Sequence, residues 1–191
     1  EMPGDFAPLP HLGELKNKYN AQLFVDDAHG TGVLGDNGRG TPEHFGVEDQ
    51  VDLHGGTFAK SFGTFGGYIC GNKRALDFIK FVSPGFMLTK ALPGCMTNAT
   101  IKSLELMQSM PERRHQLWEN ITVLREGLRD AGFNIGDPKG AVTSIFTRGA
   151  MALTAVRMLM DDYKIVVNPV MYPAVPYGTS MIRMTASALH T

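Results

Sequence analysis

One stretch constrains the fold more than any other: a short, mostly apolar run that ends in acids and then in glycines. Ala21-Gln22-Leu23-Phe24-Val25 passes directly into Asp26-Asp27-Ala28-His29, and glycines follow at 30, 32, 35, 38 and 40. A compact apolar run bounded by turn residues reads as a buried strand rather than a helix. So many permissive residues after it weaken any regular element, which makes the next segment a loop. In open α/β sheets, ligands sit outside the C-terminal ends of the strands. Asp26 and His29, three residues apart in such a turn, can both face one ligand. The alternative is that Asp26 caps the turn and His29 is solvated.

The rest of the chain alternates helix and strand, which argues for an α/β fold. A helix is expected over Leu12 to Tyr19, a second strand over Val51 to His54, and a turn over Thr57 to Thr64. Gly66 to Gly71 then reads as a third strand, antiparallel to the second. Arg74 to Val82 has helical spacing and stops at Ser83-Pro84-Gly85. A helix over Met96 to Met110 follows, and another runs from Pro111 to Ala131. The second carries Leu117, Ile121, Leu124 and Leu128 on one face, and Gly132 closes it. Its Arg side chains are expected to form the solvated face. Short strands are then expected at Phe133 to Ile135, Val142 to Thr147, Ile165 to Asn168 and Met181 to Thr185. A helix over Ala150 to Tyr163 lies among them. Met151, Met158 and Met160 on that helix are expected to pack in a core. This change of character divides the chain near residue 110. Residues 1–110 read as part of a larger domain and residues 111–191 as a smaller α+β one.

Composition removes whole classes of function. With 191 residues, 43% of them hydrophobic and 19% charged, the chain can bury a core and is not a disordered one. A formal charge of -1 gives no support for a basic nucleic-acid binder. Two cysteines, Cys70 and Cys95, are too few for a disulfide scaffold or a four-cysteine zinc site. His29, His44 and His54 are too far apart to suggest a metal site, so no metal is expected. No apolar run reaches the roughly 18 residues of a membrane helix. The chain opens on Glu1 without an initiator Met, and it reads as a segment of a longer protein of the cytoplasm.

Two more features carry chemistry. Lys60 sits in Gly55-Gly56-Thr57-Phe58-Ala59-Lys60-Ser61-Phe62-Gly63, among small and hydroxylated residues. Desolvating a lysine lowers its pKa and makes it a Schiff-base nucleophile. Thr57, Ser61 and nearby N–H groups can hold a phosphate. A plain surface charge is the competing reading of Lys60. Arg183 lies mid-strand in Met181-Ile182-Arg183-Met184-Thr185, where it needs an anionic partner. That partner is either a protein carboxylate or a substrate.

In order along the chain, Asp26-Asp27-Ala28-His29-Gly30-Thr31-Gly32, Gly38-Arg39-Gly40, Gly56-Thr57-Phe58-Ala59-Lys60-Ser61 and Gly66-Gly67-Tyr68 resemble the α-oxoamine synthases. Gly4 to Leu9 and Tyr172-Pro173-Ala174-Val175-Pro176, with Arg183 and His190-Thr191, extend the likeness over nearly the whole chain. These are pyridoxal-phosphate (PLP) enzymes of the aspartate-aminotransferase fold, type I. The resemblance implies part of a large, mostly parallel-sheet domain plus a small C-terminal domain, with the N-terminal part of the protein elsewhere. It implies that Lys60 bears PLP as an internal aldimine, that Asp26 pairs with the pyridine nitrogen and that His29 contacts the phenolic oxygen. Thr57 would bind the phosphate. Thr89 would do so across a dimer interface, although Lys90 follows where the family often has a second hydroxyl. Arg183 would hold the amino-acid carboxylate.

The implied reaction joins serine, glycine or alanine to an acyl-CoA with loss of CoA and CO2, in a homodimer with shared active sites. Serine palmitoyltransferase-like chemistry is favoured, from the residues around Lys60 and from Gly38 to Asp49. 8-Amino-7-oxononanoate synthase and 2-amino-3-ketobutyrate ligase are alternatives. An aminotransferase or a non-catalytic partner subunit is a further alternative.

Overall fold

The computed structural model describes residues 4–191. The chain divides into two compact units, with the break between Pro111 and Glu112. The short segment Gly4 to Phe6 belongs with the second unit, where Gly4 O accepts hydrogen bonds from Lys139 N and Gly140 N.

In the unit from Ala7 to Pro111, helix α1 (Leu9–Tyr19) follows Pro8 and carries Pro10 in its first turn, where a fixed φ and a missing N–H cost little. It ends at Asn20 in the left-handed region. Strand β1 is shorter than expected, Phe24–Asp26. It pairs in parallel with β2 (Leu53–Thr57), and β2 pairs antiparallel with β3 (Gly67–Gly71), as Gly66 to Gly71 predicted. The sheet order is β1-β2-β3 and the sheet is mixed. Short helix α2 (Thr41–Phe45) and a 3₁₀ turn over Glu48–Gln50 lie between β1 and β2. Leu9, Val25 and Val47 form a buried cluster with Leu12, Leu23, Phe45 and Val51 against it, so α1 and α2 cover the Val25 side of the sheet. The expected buried strand is therefore buried on that side alone, and Phe24 is 56% exposed.

Helix α3 (Lys73–Val82) starts on Asn72, whose side chain accepts from Arg74 N. Ser83 ends it, but Pro84 then opens another short helix, α4 (Pro84–Met87), rather than a plain stop. Helix α5 (Gly94–Ser109) closes the unit.

In the second unit, α6 (Glu112–Asp130) and α7 (Met151–Tyr163) accompany a sheet of β4 (Val142–Arg148), β5 (Asn168–Val170) and β6 (Thr179–Thr185). The order is β4-β6-β5 and both pairings are antiparallel. Ile135, Ile145, Ala152 and Ile182 make the core, with Leu128, Val156 and Val167 against it.

Four expectations are corrected here. Phe133 to Ile135 is not a strand: Ile135 is buried, but the segment gives the sheet edge a single bond, Asn134 O accepting from Phe146 N. The expected strand at Ile165 to Asn168 begins only at Asn168. Pro169 falls inside it, which an edge strand tolerates. Arg125 of α6 is buried rather than solvated. Its guanidinium donates to Thr143 Oγ1 (3.0 Å), Val142 O (3.2 Å) and Gly140 O. Burial pushes its pKa down, with the nearby Arg129 charge adding to the effect. Met151, Met158 and Met160 are exposed, not packed. Among the described residues no helix is long and apolar enough to cross a membrane, and no cluster of side chains suits a metal ion.

Candidate active site

The site is built on the sheet face opposite Val25. The register sets Asp26 beside Gly55 and Gly55 beside Ile69. Side chains alternate along a strand, so Phe24, Asp26 and Thr57 share this face while Val25, His54 and Cys70 share the other. Gly55 is needed here because a Cβ on it would lie 2.9 Å from the Phe24 ring.

Asp26 is exposed at the C-terminal end of the one parallel pairing of this sheet. Its Oδ1 accepts from Ala28 N at 3.1 Å, so it caps the turn and still offers its other oxygen to a ligand. The two readings of Asp26 are thus compatible. His29 is half-buried in the same turn.

Lys60 stands on the turn between β2 and β3, and it is exposed. The desolvation that would activate its amine is not provided by the residues around it here. The turn itself is held firmly. Ser61 Oγ donates to Thr31 O at 2.7 Å, which fastens Lys60's turn to the loop of Asp26 and His29. From α5, Ser103 Oγ donates to Phe62 O at 2.8 Å, and Thr100 meets Thr64 hydroxyl to hydroxyl at 2.8 Å. Phe58, Phe62 and Tyr68 pack ring on ring beneath it, with centroids 5.1 to 6.4 Å apart.

The hydroxyls expected to meet phosphate are otherwise engaged. Thr57 Oγ1 donates to Gly66 O at 3.1 Å and accepts from Ala59 N at 3.1 Å. Ser61's proton goes to Thr31 O. Each has one proton to give, so either must turn to serve a phosphate. Thr89 follows α4 on an exposed stretch and is joined to Lys60's turn by no hydrogen bond among the described residues.

Arg183 lies in the other unit, on central strand β6, paired with Ser144 on one side and Asn168 on the other. Its Nε is buried and has no hydrogen-bond partner among the described residues. A buried charged donor left unpaired is costly. The protein carboxylate expected as one possible partner of that nitrogen is not supplied among the described residues.

Sequence reasoning missed what lies on the covered side of the sheet. Asp27 is buried, and its carboxylate takes hydrogen bonds from Thr41 N (2.9 Å) and Thr41 Oγ1 (2.5 Å). Tyr68 Oη meets Thr31 Oγ1 at 2.8 Å. Burial raises the Tyr68 pKa, against the Thr31 hydrogen bond that lowers it. The signal for Asp27 was its place directly after Asp26, since neighbours at a strand end point to opposite sides.

The profile of class I and II aminotransferases matches residues 1–191. The chain belongs to the class I and II aminotransferase family. It is 38% identical over 192 residues to the cysteate-C-fatty acyltransferase of Capnocytophaga ochracea, across 100% of this chain and 46% of that protein. It is 38% identical over 190 residues to the 8-amino-7-oxononanoate synthase of Thermosipho melanesiensis, across 100% of this chain and 49% of that one. The solved serine palmitoyltransferase of Sphingomonas wittichii superposes with a TM-score of 0.93 at 31% identity, over 100% of this chain and 48% of that chain. This aminotransferase-family chain thus spans about half the length of the curated relatives it matches.

Proposed function

We propose that the complete protein is a PLP-dependent α-oxoamine synthase, and that this chain carries its Schiff-base lysine, Lys60. The reaction is the joining of an amino acid to an acyl-CoA with release of CoA and CO2. The observation that carries the reading is the 2.7 Å bond from Ser61 Oγ to Thr31 O. It ties an exposed primary amine to the loop of an exposed carboxylate and a histidine at the end of a parallel strand.

The residues fit PLP by their donor set: an amine for its aldehyde, a carboxylate for its pyridine nitrogen and hydroxyls for its phosphate. When bound, PLP supplies an electron sink for charge that develops at the amino-acid Cα. Lys60 Nζ holds the group and moves the Cα proton. The Asp26 carboxylate keeps the pyridine nitrogen protonated, and His29 meets the phenolic oxygen. Thr57 turns its hydroxyl from Gly66 O towards phosphate. Thr89 would reach the phosphate across a homodimer interface. On the family likeness, Arg183 would hold the substrate carboxylate and so set the orientation of the scissile bond. The open face bearing Phe24 and Asp26 is where the remainder of the complete protein packs, excluding water and desolvating Lys60.

The favoured donor is serine, on the likeness around Lys60. Alanine and glycine compete with it on the same family likeness, and cysteate joins them because a relative at 38% identity is named for it. A cytoplasmic location belongs to the same proposal. The test is to record the visible absorbance of the full-length protein with PLP and titrate each amino acid separately. A saturable spectral change with one of them identifies the donor. A folded protein with no PLP absorbance in the visible would end the proposal and favour a non-catalytic partner subunit.

A further inference from the structure

We propose that Asp27 is a positioning residue, which fixes the Asp26–His29 turn from the covered side of the sheet. This rests on the PLP reading of Asp26, His29 and Lys60.

Asp27 is 4% exposed, and a buried carboxylate without hydrogen bonds is strongly unfavourable. It is held by Thr41 N and Thr41 Oγ1, with Thr31 Oγ1 further off at 3.4 Å. His54 Nε2 lies 3.5 Å from Asp27 Oδ2, buried and without a hydrogen bond. The backbone of Asp27 is equally committed. Its N–H donates to Gly55 O at 2.8 Å, and its carbonyl accepts from Gly30 N (3.0 Å) and Thr31 N (3.1 Å).

One residue therefore ties together β2, the turn and the start of α2. Two of the loop glycines make room for it. A Cβ on Gly30 would lie 2.1 Å from Asp27 Oδ1, and one on Gly40 1.7 Å from Oδ2. Asp26 shares a peptide bond with this anchor, so the anchor fixes the direction in which Asp26 points. Thr31, bonded to the same anchor through its N–H, is the residue whose carbonyl holds Ser61 and hence Lys60's turn. Asp27 touches neither substrate nor cofactor in this scheme. It acts through its neighbours, and the two hydroxyls of Thr41 and Thr31 are the handles on that action.

The experiment uses the full-length protein, cofactor-free and PLP-loaded, as wild type, Asp27→Asn and Thr41→Val. Three quantities are read: PLP affinity, the pH midpoint of the visible absorbance of the bound cofactor, and amide hydrogen exchange at Gly30 and Thr31 in the cofactor-free protein. Outer-shell partners of metal ligands set the scale, so Asp27→Asn is expected to weaken PLP binding roughly tenfold. It also moves the absorbance midpoint and speeds exchange at Gly30 and Thr31. Thr41→Val, which keeps the backbone donor, shifts all three in the same direction by less. Lower thermal stability with unchanged PLP affinity, midpoint and exchange would show a purely structural carboxylate and overturn the proposal. Should Asp27→Asn fail to fold, Thr41→Val decides on the same readouts. A wild type that binds no PLP overturns the PLP reading, while the exchange rates still test the anchoring of the turn on their own.

Discussion

The two sheets of this chain are built to opposite plans. In the second unit, β4 buries four of its seven residues and β6 three of seven, around a core of Ile135, Ile145, Ala152 and Ile182, and among the described residues the one buried polar side-chain atom on β6 without a hydrogen bond is Arg183 Nε. In the first unit, β1 buries only Val25, and the face with Phe24 and Asp26 is open. The closed sheet is chiefly a core, with Arg183 held on its middle strand. The open sheet is a platform whose side chains are fixed from below by hydrogen bonds and left available above. Stability is concentrated in the one and reactive groups in the other, so substitutions in the two should fail in different ways.

Lys60→Ala in the complete protein should show the contrast most strongly. Turnover, followed as amino-acid-dependent CoA release, should fall roughly a thousandfold or more. Stability should change far less, because Ser61, Ser103 and Thr64 rather than the Lys60 side chain hold the turn. Unchanged turnover would break the assignment. Arg183→Ala is next: it should raise the KM for the amino acid by about ten- to a hundredfold, the value of a charge-assisted hydrogen bond. PLP affinity should not move, and equal loss of both would make Arg183 a structural residue. Ile145→Ala tests the other side of the comparison. It should cost about 2–5 kcal/mol in denaturant unfolding, with kcat of the surviving folded protein little changed.

The smallest effect concerns pH. The Asp52 carboxylate accepts from Leu23 N at 2.7 Å and pairs with Lys16 Nζ at 2.9 Å. The backbone bond first, then Lys16, holds its pKa below the usual 3.8. Its contribution to stability is therefore complete above that value and is lost as pH falls through the lower folded-state value. Asp52→Asn should flatten the acid limb of the stability–pH curve, and an unaltered limb would show that other carboxylates set it.

Much of this was legible in the chain. The strand, the acid and the glycine loop follow from Leu23 to Gly40. The antiparallel return follows from the Gly66 to Gly71 run so close behind β2. The helix ending at Gly132 follows from the spacing of Leu117 to Leu128, and Gly132 takes a positive φ of 80° there. What was hidden depends on direction. Asp26 and Asp27 are the same letter twice, and only the alternation at the end of β1 sends one outward and one into the fold. Thr57 and Ser61 offer hydroxyls in the sequence, but where their protons point is set by Gly66 O and Thr31 O. Ile135 carries a core signal with no strand, since apolar periodicity reports burial and not pairing. Arg125 looked like its charged neighbours on α6, and only the Thr143 hydroxyl and the carbonyls of Gly140 and Val142 explain why it turns inward.

Pro169 has a consequence for the company this protein keeps. It sits in β5, the outer strand of its sheet, opposite Ile182. A proline has no amide hydrogen, so the rim of that sheet lacks one donor a foreign strand would need to zip onto it. That missing hydrogen guards against self-templated growth between crowded copies. Pro169→Ala should leave the fold in place yet make concentrated samples more prone to aggregate.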